Sequence, residues 1–241
     1  MLTKSRAIVL HSMKFGESQL IVDLLTEVHG RLSFICHVSK SPKGKIKKQF
    51  FQPLSLLELE YDFRVKAKLQ HLKDIRIAVP FGSIPFDPFK LSISLFIADF
   101  LYYASRSEQE NPLLYQYVEH SILWLDNTLE HFSSFHLVFM MRLSRFLGFY
   151  PNVEEYQEDD YFDLREGRFV SLPPGHPDFV SGGEAKSIRL LMRLTYENMH
   201  LCPMSRMERN RCAEVIILYY RFHIPNFPEL KSFDILQELF A

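Results

Sequence analysis

The densest chemistry in the sequence is a run of cations. Lys40, Lys43, Lys45, Lys47 and Lys48 put five lysines into nine residues with no acid among them. A phosphate backbone rewards such density, because each phosphate that is neutralised releases a condensed counterion. The same lysines would also suit a solvated loop. Phe15, Phe50 and Phe51 are the aromatic residues nearest to hand. Their rings could stack nucleobases, or they could fill a core, as most large aromatics do. A second group of cations comes later. Arg189 and Arg193 are four residues apart and so share one helical face, and Arg206, Arg209 and Arg211 follow one helix on. Guanidinium groups beside apolar helix surface can hold the carboxylates of an acidic peptide, or they can be ordinary surface arginines.

Catalytic patterns are missing from the sequence. None of the ten histidines has the H-x-x-x-H or H-E-x-x-H spacing, and His29, His37 and His71 fall in or beside apolar runs, where they read as partly buried side chains. No G-x-S-x-G, P-loop or Rossmann fingerprint occurs. Glu154, Glu155, Glu158, Asp159, Asp160 and Asp163 crowd together but lack the spacing of a calcium loop. They read as a solvated acidic turn, with a metal-dependent hydrolase as the alternative that they leave open. Cys36, Cys202 and Cys212 are too far apart for a C-x-x-C pair, so neither a zinc ribbon, a thioredoxin-like site nor a disulfide framework is expected. The reading is of a protein that is not an enzyme and carries no metal or cofactor.

The elements that must position these residues change character near residue 80. Before it come short apolar runs bounded by turn formers: Ala7–Leu10, Leu20–Leu25, Leu32–Cys36, Leu54–Tyr61 and Leu69–Ile77. Leu57, Leu59 and Tyr61 alternate with Glu58 and Glu60, as in a half-buried strand. Gly30 closes a tight turn between the second and third runs. Five short strands in this length predict a small OB-fold barrel over 1–80. Three prolines and a glycine in 80–88 mark 81–88 as a linker.

A mainly α-helical domain is predicted over 89–241, which makes the chain α+β and multidomain. Asp87-Pro88 and Asn111-Pro112 are helix starts, Gly148 ends a third helix, and Ser205 with Glu208 forms a capping-box pattern. Residues 151–183 interrupt the helices with an irregular, cysteine-free insertion, in which Glu166-Gly167 suits a minimal hairpin.

Charge is divided along the same line. Residues 1–80 hold 14 of the 28 Lys and Arg but 7 of the 29 Asp and Glu, a balance of +7, against −8 in the remainder. A net charge of −1 can therefore coexist with an electropositive face. Ala7–Leu10 is too short for a signal-peptide core, and no run is long enough to span a membrane, so the chain is expected to stay cytoplasmic.

The ordered set of segments resembles the RecO family of bacterial recombination and DNA-repair mediators. Arg6–Leu10, Phe15–Val22 and Leu24–Ser33 carry the likeness first. The basic loop, Gln52–Glu60, Leu143–Pro151 and Phe227–Leu236 continue it to the end of the chain. The resemblance implies an N-terminal OB-fold and a helical domain. It also implies binding to single- and double-stranded DNA, annealing of complementary strands, and partnership with RecR and with the C-terminal tail of single-stranded-DNA-binding protein, so that RecA loads onto coated strands. It implies a bacterial, nucleoid-associated protein. Many members carry a four-cysteine zinc site beyond the Gly148–Pro151 turn; residues 151–186 contain no cysteine here, and no zinc is expected.

Lys14, Arg31, Lys40, Lys43, Lys45, Lys47 and Lys48, with Phe15 and Phe51, are the expected DNA-binding residues. The five arginines from Arg189 to Arg211 are the expected peptide site. A non-catalytic adaptor, whose basic barrel binds an acidic protein, remains the rival reading.

Overall fold

One long strand shapes the first part of the molecule in the computed structural model, which describes residues 2–38, 46–106, 109–153 and 156–239. Strand β1 runs Leu2–Phe15, far beyond its apolar centre Ala7–Leu10. Its first half pairs with β4 (Leu56–Asp62) and its second half with β2 (Gln19–Thr26). The register shifts between Val9 and His11. Such an irregularity bends a strand and lets it serve two sheets.

Strands β3 (Gly30–His37) and β5 (Gln70–Val79) complete a closed barrel in the order β1-β2-β3-β5-β4. Closure depends on a short parallel seam, Phe34↔Gln70 and Ile35↔His71. This is the five-stranded OB arrangement. Gly30, at φ 64, makes the β2–β3 turn that the sequence called for. Val22, Leu24, Phe34, Leu57, Leu59 and Tyr61 fill the interior, while Glu58 and Glu60 face outward as their alternation requires.

Two compact units emerge. One runs to Asn127 and takes in Leu230–Leu239; the other is Thr128–Glu229. The first therefore holds the barrel together with helices α1 (Pro88–Ala104), α2 (Pro112–Asn127) and α6 (Lys231–Leu239). Arg6 ties β1 to α2: its guanidinium takes both oxygens of Glu119, at 2.9 and 2.7 Å, and also holds Glu27.

The proline-rich stretch before α1 is pinned. The Asp126 carboxylate accepts the backbone N–H groups of Gly82, Ser83 and Ile84 at 2.8 to 2.9 Å. Lys90, 2 % exposed, donates to the Ser83 hydroxyl. Burial draws the Lys90 pKa down. Asp87 caps α1 by accepting from the backbone of Phe89 and Lys90, and Asn111 caps α2 by accepting from Leu114. Helix α6 lies on α1, with the Phe96 and Phe233 rings 5.7 Å apart.

The second unit is built on α3 (Phe135–Phe146), α4 (Gly182–Arg193) and α5 (Arg206–His223). Gly148, at φ 86, follows the end of α3, and Ser205 and Glu208 form the reciprocal capping box. Within 151–183 the hairpin around Glu166-Gly167 is present as β6 (Tyr161–Asp163) and β7 (Arg168–Val170). A third strand, β8 (Phe179–Val180), pairs with β6, which the sequence pattern had not indicated. Gly167 is obligatory: its φ is 66, and a Cβ there would come within 2.6 Å of the Tyr219 hydroxyl. Among the described residues no helix is long and apolar enough to cross a membrane.

Candidate nucleic-acid interface

Paired residues on neighbouring strands share a face of the sheet. With Leu20, Val22, Phe34 and Cys36 turned into the barrel, the row Met13↔Ile21↔Ile35↔His71 must lie outside, and so must Phe15↔Gln19↔His37 beside it. Phe15 is 49 % exposed and Met13 equally so. Ile21 and Ile35 are half-buried. The result is an apolar strip across four strands with a phenylalanine ring at its end.

Cations that form no ion pair among the described residues lie around that strip. Lys14 stands in the exposed end of β1, paired with Leu20 and so on the face opposite Met13 and Phe15. Lys47 and Lys48 open a 3-10 turn, Lys48–Phe51, whose Phe51 carbonyl accepts from the Ser12 hydroxyl on β1. Across the barrel, the β4–β5 loop carries Arg64, Lys66 and Lys68, all exposed. Among the described residues none of these six forms an ion pair. In OB-folds the β2–β3 surface and the β1–β2 and β4–β5 loops are the parts that take oligonucleotides.

The β4–β5 loop is held in shape from within. Gln70, buried at the start of β5, accepts from the Arg64 N–H at 3.0 Å and donates to the carbonyls of Arg64 and Ala67. His29, from the β2–β3 turn, stacks on Phe63 at 3.7 Å and hydrogen-bonds the Tyr61 hydroxyl at 2.7 Å. Burial lowers the His29 pKa and favours the neutral ring. Loop cations on a fixed backbone lose little freedom when they meet a ligand.

Lys14, Phe15, Lys47 and Lys48 thus reach the surface as expected, while Lys40, Lys43 and Lys45 lie outside the described residues. Two expectations are corrected. Phe51 is 2 % exposed and plugs the barrel core, so its ring cannot stack a base. The Arg31 side chain is 10 % exposed. Its guanidinium sits 4.2 Å over the Tyr102 ring of α1, donates to the Tyr102 carbonyl and faces Asp23 at 3.7 Å. It is spent on joining β3 to α1. Arg64, Lys66 and Lys68 were missed by sequence reasoning, although Arg64-Val65-Lys66-Ala67-Lys68 sits between two strand patterns and contains no acid.

Residues 1–81 match the family description "Recombination protein O N terminal", and residues 85–232 match "Recombination protein O C terminal". The chain belongs to the RecO family. A DNA repair protein RecO of Phocaeicola vulgatus is 50 % identical over 241 residues, covering all of both chains. Proteins of that name from Bacteroides fragilis, 49 % identical over the same full length, and from Flavobacterium johnsoniae, 35 % identical over 99 % of each chain, are also similar.

The five arginines expected to gather in this RecO chain line different places in its second unit. Arg189 lies 3.9 Å over the Tyr156 ring and, with Arg193, Lys186, Glu158 and Leu190, lines a cleft of about 490 Å³. Arg211 faces another cleft and is already paired with Glu184 at 2.5 Å and Glu214 at 3.1 Å. Arg209 donates to the Met204 carbonyl at 2.6 Å, near the buried His136, whose pKa is pushed down to about 3 by burial and then by Arg209. Arg206 is exposed in the first turn of α5. Arg189 and Arg193 thus share one cleft on α4, Arg206 and Arg209 lie near each other at the start of α5, and Arg211 is taken up by Glu184 and Glu214. Among the described residues no group of three His, Cys, Asp or Glu could hold a metal ion.

Proposed function

We propose that this RecO family DNA repair protein is a non-catalytic recombination mediator that holds nucleic acid on its barrel. The observation that carries the reading is the exposed strip from Met13 and Phe15 to His71, flanked by the unpaired Lys14, Lys47, Lys48, Arg64, Lys66 and Lys68. Cations would track the phosphates of a single strand while bases rest on the strip, a sequence-tolerant mode. Neutralised phosphates lower the repulsion between complementary strands, so annealing proceeds without nucleotide hydrolysis. Duplex DNA is held through the same phosphate contacts. In this reading the protein acts in the cytoplasm at the nucleoid, with RecR and the single-stranded-DNA-binding protein tail as partners, and helps RecA load onto coated DNA. The tail would be received by the second unit, where Arg189 and Arg193 can meet carboxylates.

The test is the binding of a fluorescent single-stranded oligonucleotide across a salt series. The wild type is expected to weaken steeply with salt. A Lys14→Ala, Lys47→Ala, Lys48→Ala variant is expected to lose about 0.7 of the log–log slope for each phosphate contact removed. Absence of binding at low salt would overturn the reading and bring forward the alternative, an adaptor whose barrel takes an acidic protein.

A further inference from the structure

The family resemblance brings with it, in many members, a zinc ion held by four cysteines in the part of the chain that here forms the β6-β7-β8 sheet. The residues present do not fit that ion. Residues 151–186 contain no cysteine. Two charged side chains of the segment whose chemistry could ligate a metal, Asp163 and His176, are committed to protein partners.

Asp163 ends β6 and is buried. One carboxylate oxygen accepts the backbone N–H groups of Arg165 at 2.9 Å and Glu166 at 3.2 Å. Its own carbonyl accepts from Gly167 at 2.9 Å. These bonds shape the β6–β7 turn. The second carboxylate oxygen lies 3.3 Å from Nε2 of His176. On its other side Nδ1 accepts the Asp178 backbone N–H at 3.2 Å, so a neutral ring carries its proton on Nε2, the nitrogen that faces Asp163. Asp178 closes the circuit. Its carbonyl accepts from Leu164 at 3.1 Å, and its carboxylate accepts from Nε of Arg165 at 2.6 Å. Beneath the circuit lie Phe162, Leu164, Phe169 and Val180, all buried.

We infer that this excursion is a metal-independent module, cross-linked by a closed circuit of Asp163, His176, Asp178 and Arg165 that does the work a bound metal does elsewhere in the family. The circuit ties the β6–β7 turn to the segment leading into β8. It combines charge-assisted hydrogen bonds to the Asp163 and Asp178 carboxylates with the His176–Asp163 contact, and it buries the central carboxylate. The module should be indifferent to chelators and to thiol oxidants, neither of which finds anything in it to remove.

The experiment uses the full chain, purified without chelator. Elemental analysis gives the zinc content, thermal unfolding is followed with and without EDTA and 1,10-phenanthroline, and limited proteolysis maps cleavage within 171–178. The expected result is zinc well below one equivalent per chain and an unfolding midpoint that the chelators leave in place. Asp163→Ala and His176→Ala are each expected to speed cleavage of 171–178 by about ten-fold or more, since local opening sets that rate. The double variant should add little to either single change, as residues in one circuit behave. His176 is the more exposed partner, so His176→Ala decides the matter if Asp163→Ala fails to fold. One zinc per chain, a midpoint lowered by chelator, or unchanged cleavage in the His176 variant overturns the inference. Oligonucleotide binding does not enter the readout, so the result stands apart from the mediator reading.

Discussion

The barrel has two sides that handle cations in opposite ways. Where β1 runs beside β4 and β5, Lys4 meets Glu60 at 2.7 Å, Lys73 meets Asp62 at 2.8 Å, Arg76 meets Glu58, and Arg6 meets Glu27 and Glu119. Cross-strand pairs of this kind contribute modestly to the sheet, and beyond a Debye length their fields cancel. Beside the strip on β1, β2, β3 and β5, Lys14, Lys47, Lys48, Arg64, Lys66 and Lys68 form no ion pair among the described residues. Their mutual repulsion is tolerated in water and relieved by a polyanion. Function is thus written in how cations are paired, which a net charge of −1 conceals.

The comparison can be broken at several points. The largest expected effect is on stability alone. Phe51→Ala should cost about 3–5 kcal/mol in denaturant unfolding, as a large core deletion does, while the folded protein keeps the wild-type salt slope for DNA; a changed slope at unchanged stability would return Phe51 to the interface. Next comes the β4–β5 loop. Arg64→Ala, Lys66→Ala and Lys68→Ala together should lower the slope of log affinity against log salt by about 2 with no change in unfolding midpoint. If the slope holds, binding is confined to the β1–β2 side. Phe15→Ala should then cost about 1–3 kcal/mol of single-strand affinity without moving the slope, and duplex affinity should fall less; equal losses on both would mean that the ring stacks on no base. Smallest is Arg76→Ala, on the paired side, worth under about 1 kcal/mol of stability. A reduced salt slope in that variant would show that paired cations also reach phosphate.

The barrel was legible because its strands alternate over a core: Leu57, Leu59 and Tyr61 against Glu58 and Glu60 left little choice of face. The helix starts at Asp87-Pro88 and Asn111-Pro112 were legible because capping is local chemistry. The length of β1 was not, since both its ends are exposed and their apolar residues, Leu2, Met13 and Phe15, stand apart from the apolar centre. Strand β8 was hidden for a similar reason, being two residues that pair only through tertiary contact. Asp126 could not be read as the anchor of 82–84, because forty-odd residues separate the carboxylate from the amides it holds.

At the candidate site, charge density located Lys14, Lys47 and Lys48 but said nothing of direction. Arg31 looked like any strand cation until α1 was seen to cover it. Arg64, Lys66 and Lys68 are spread between small apolar residues, so they fell below the density that draws attention to Lys40–Lys48.

The barrel closes through two residue pairs between β3 and β5, whereas its antiparallel neighbours zip along most of their length. Hairpins such as β2–β3 form early because their ends are already near each other. The seam must bring Phe34 to Gln70 across the whole basic segment, and it repays that search with few hydrogen bonds. It is therefore the last part of the barrel to be made in folding and the first to part. In native-state exchange the amides of Gln70 and His71 should take up deuterium before those at the centre of β2, giving the ring a preferred place to open.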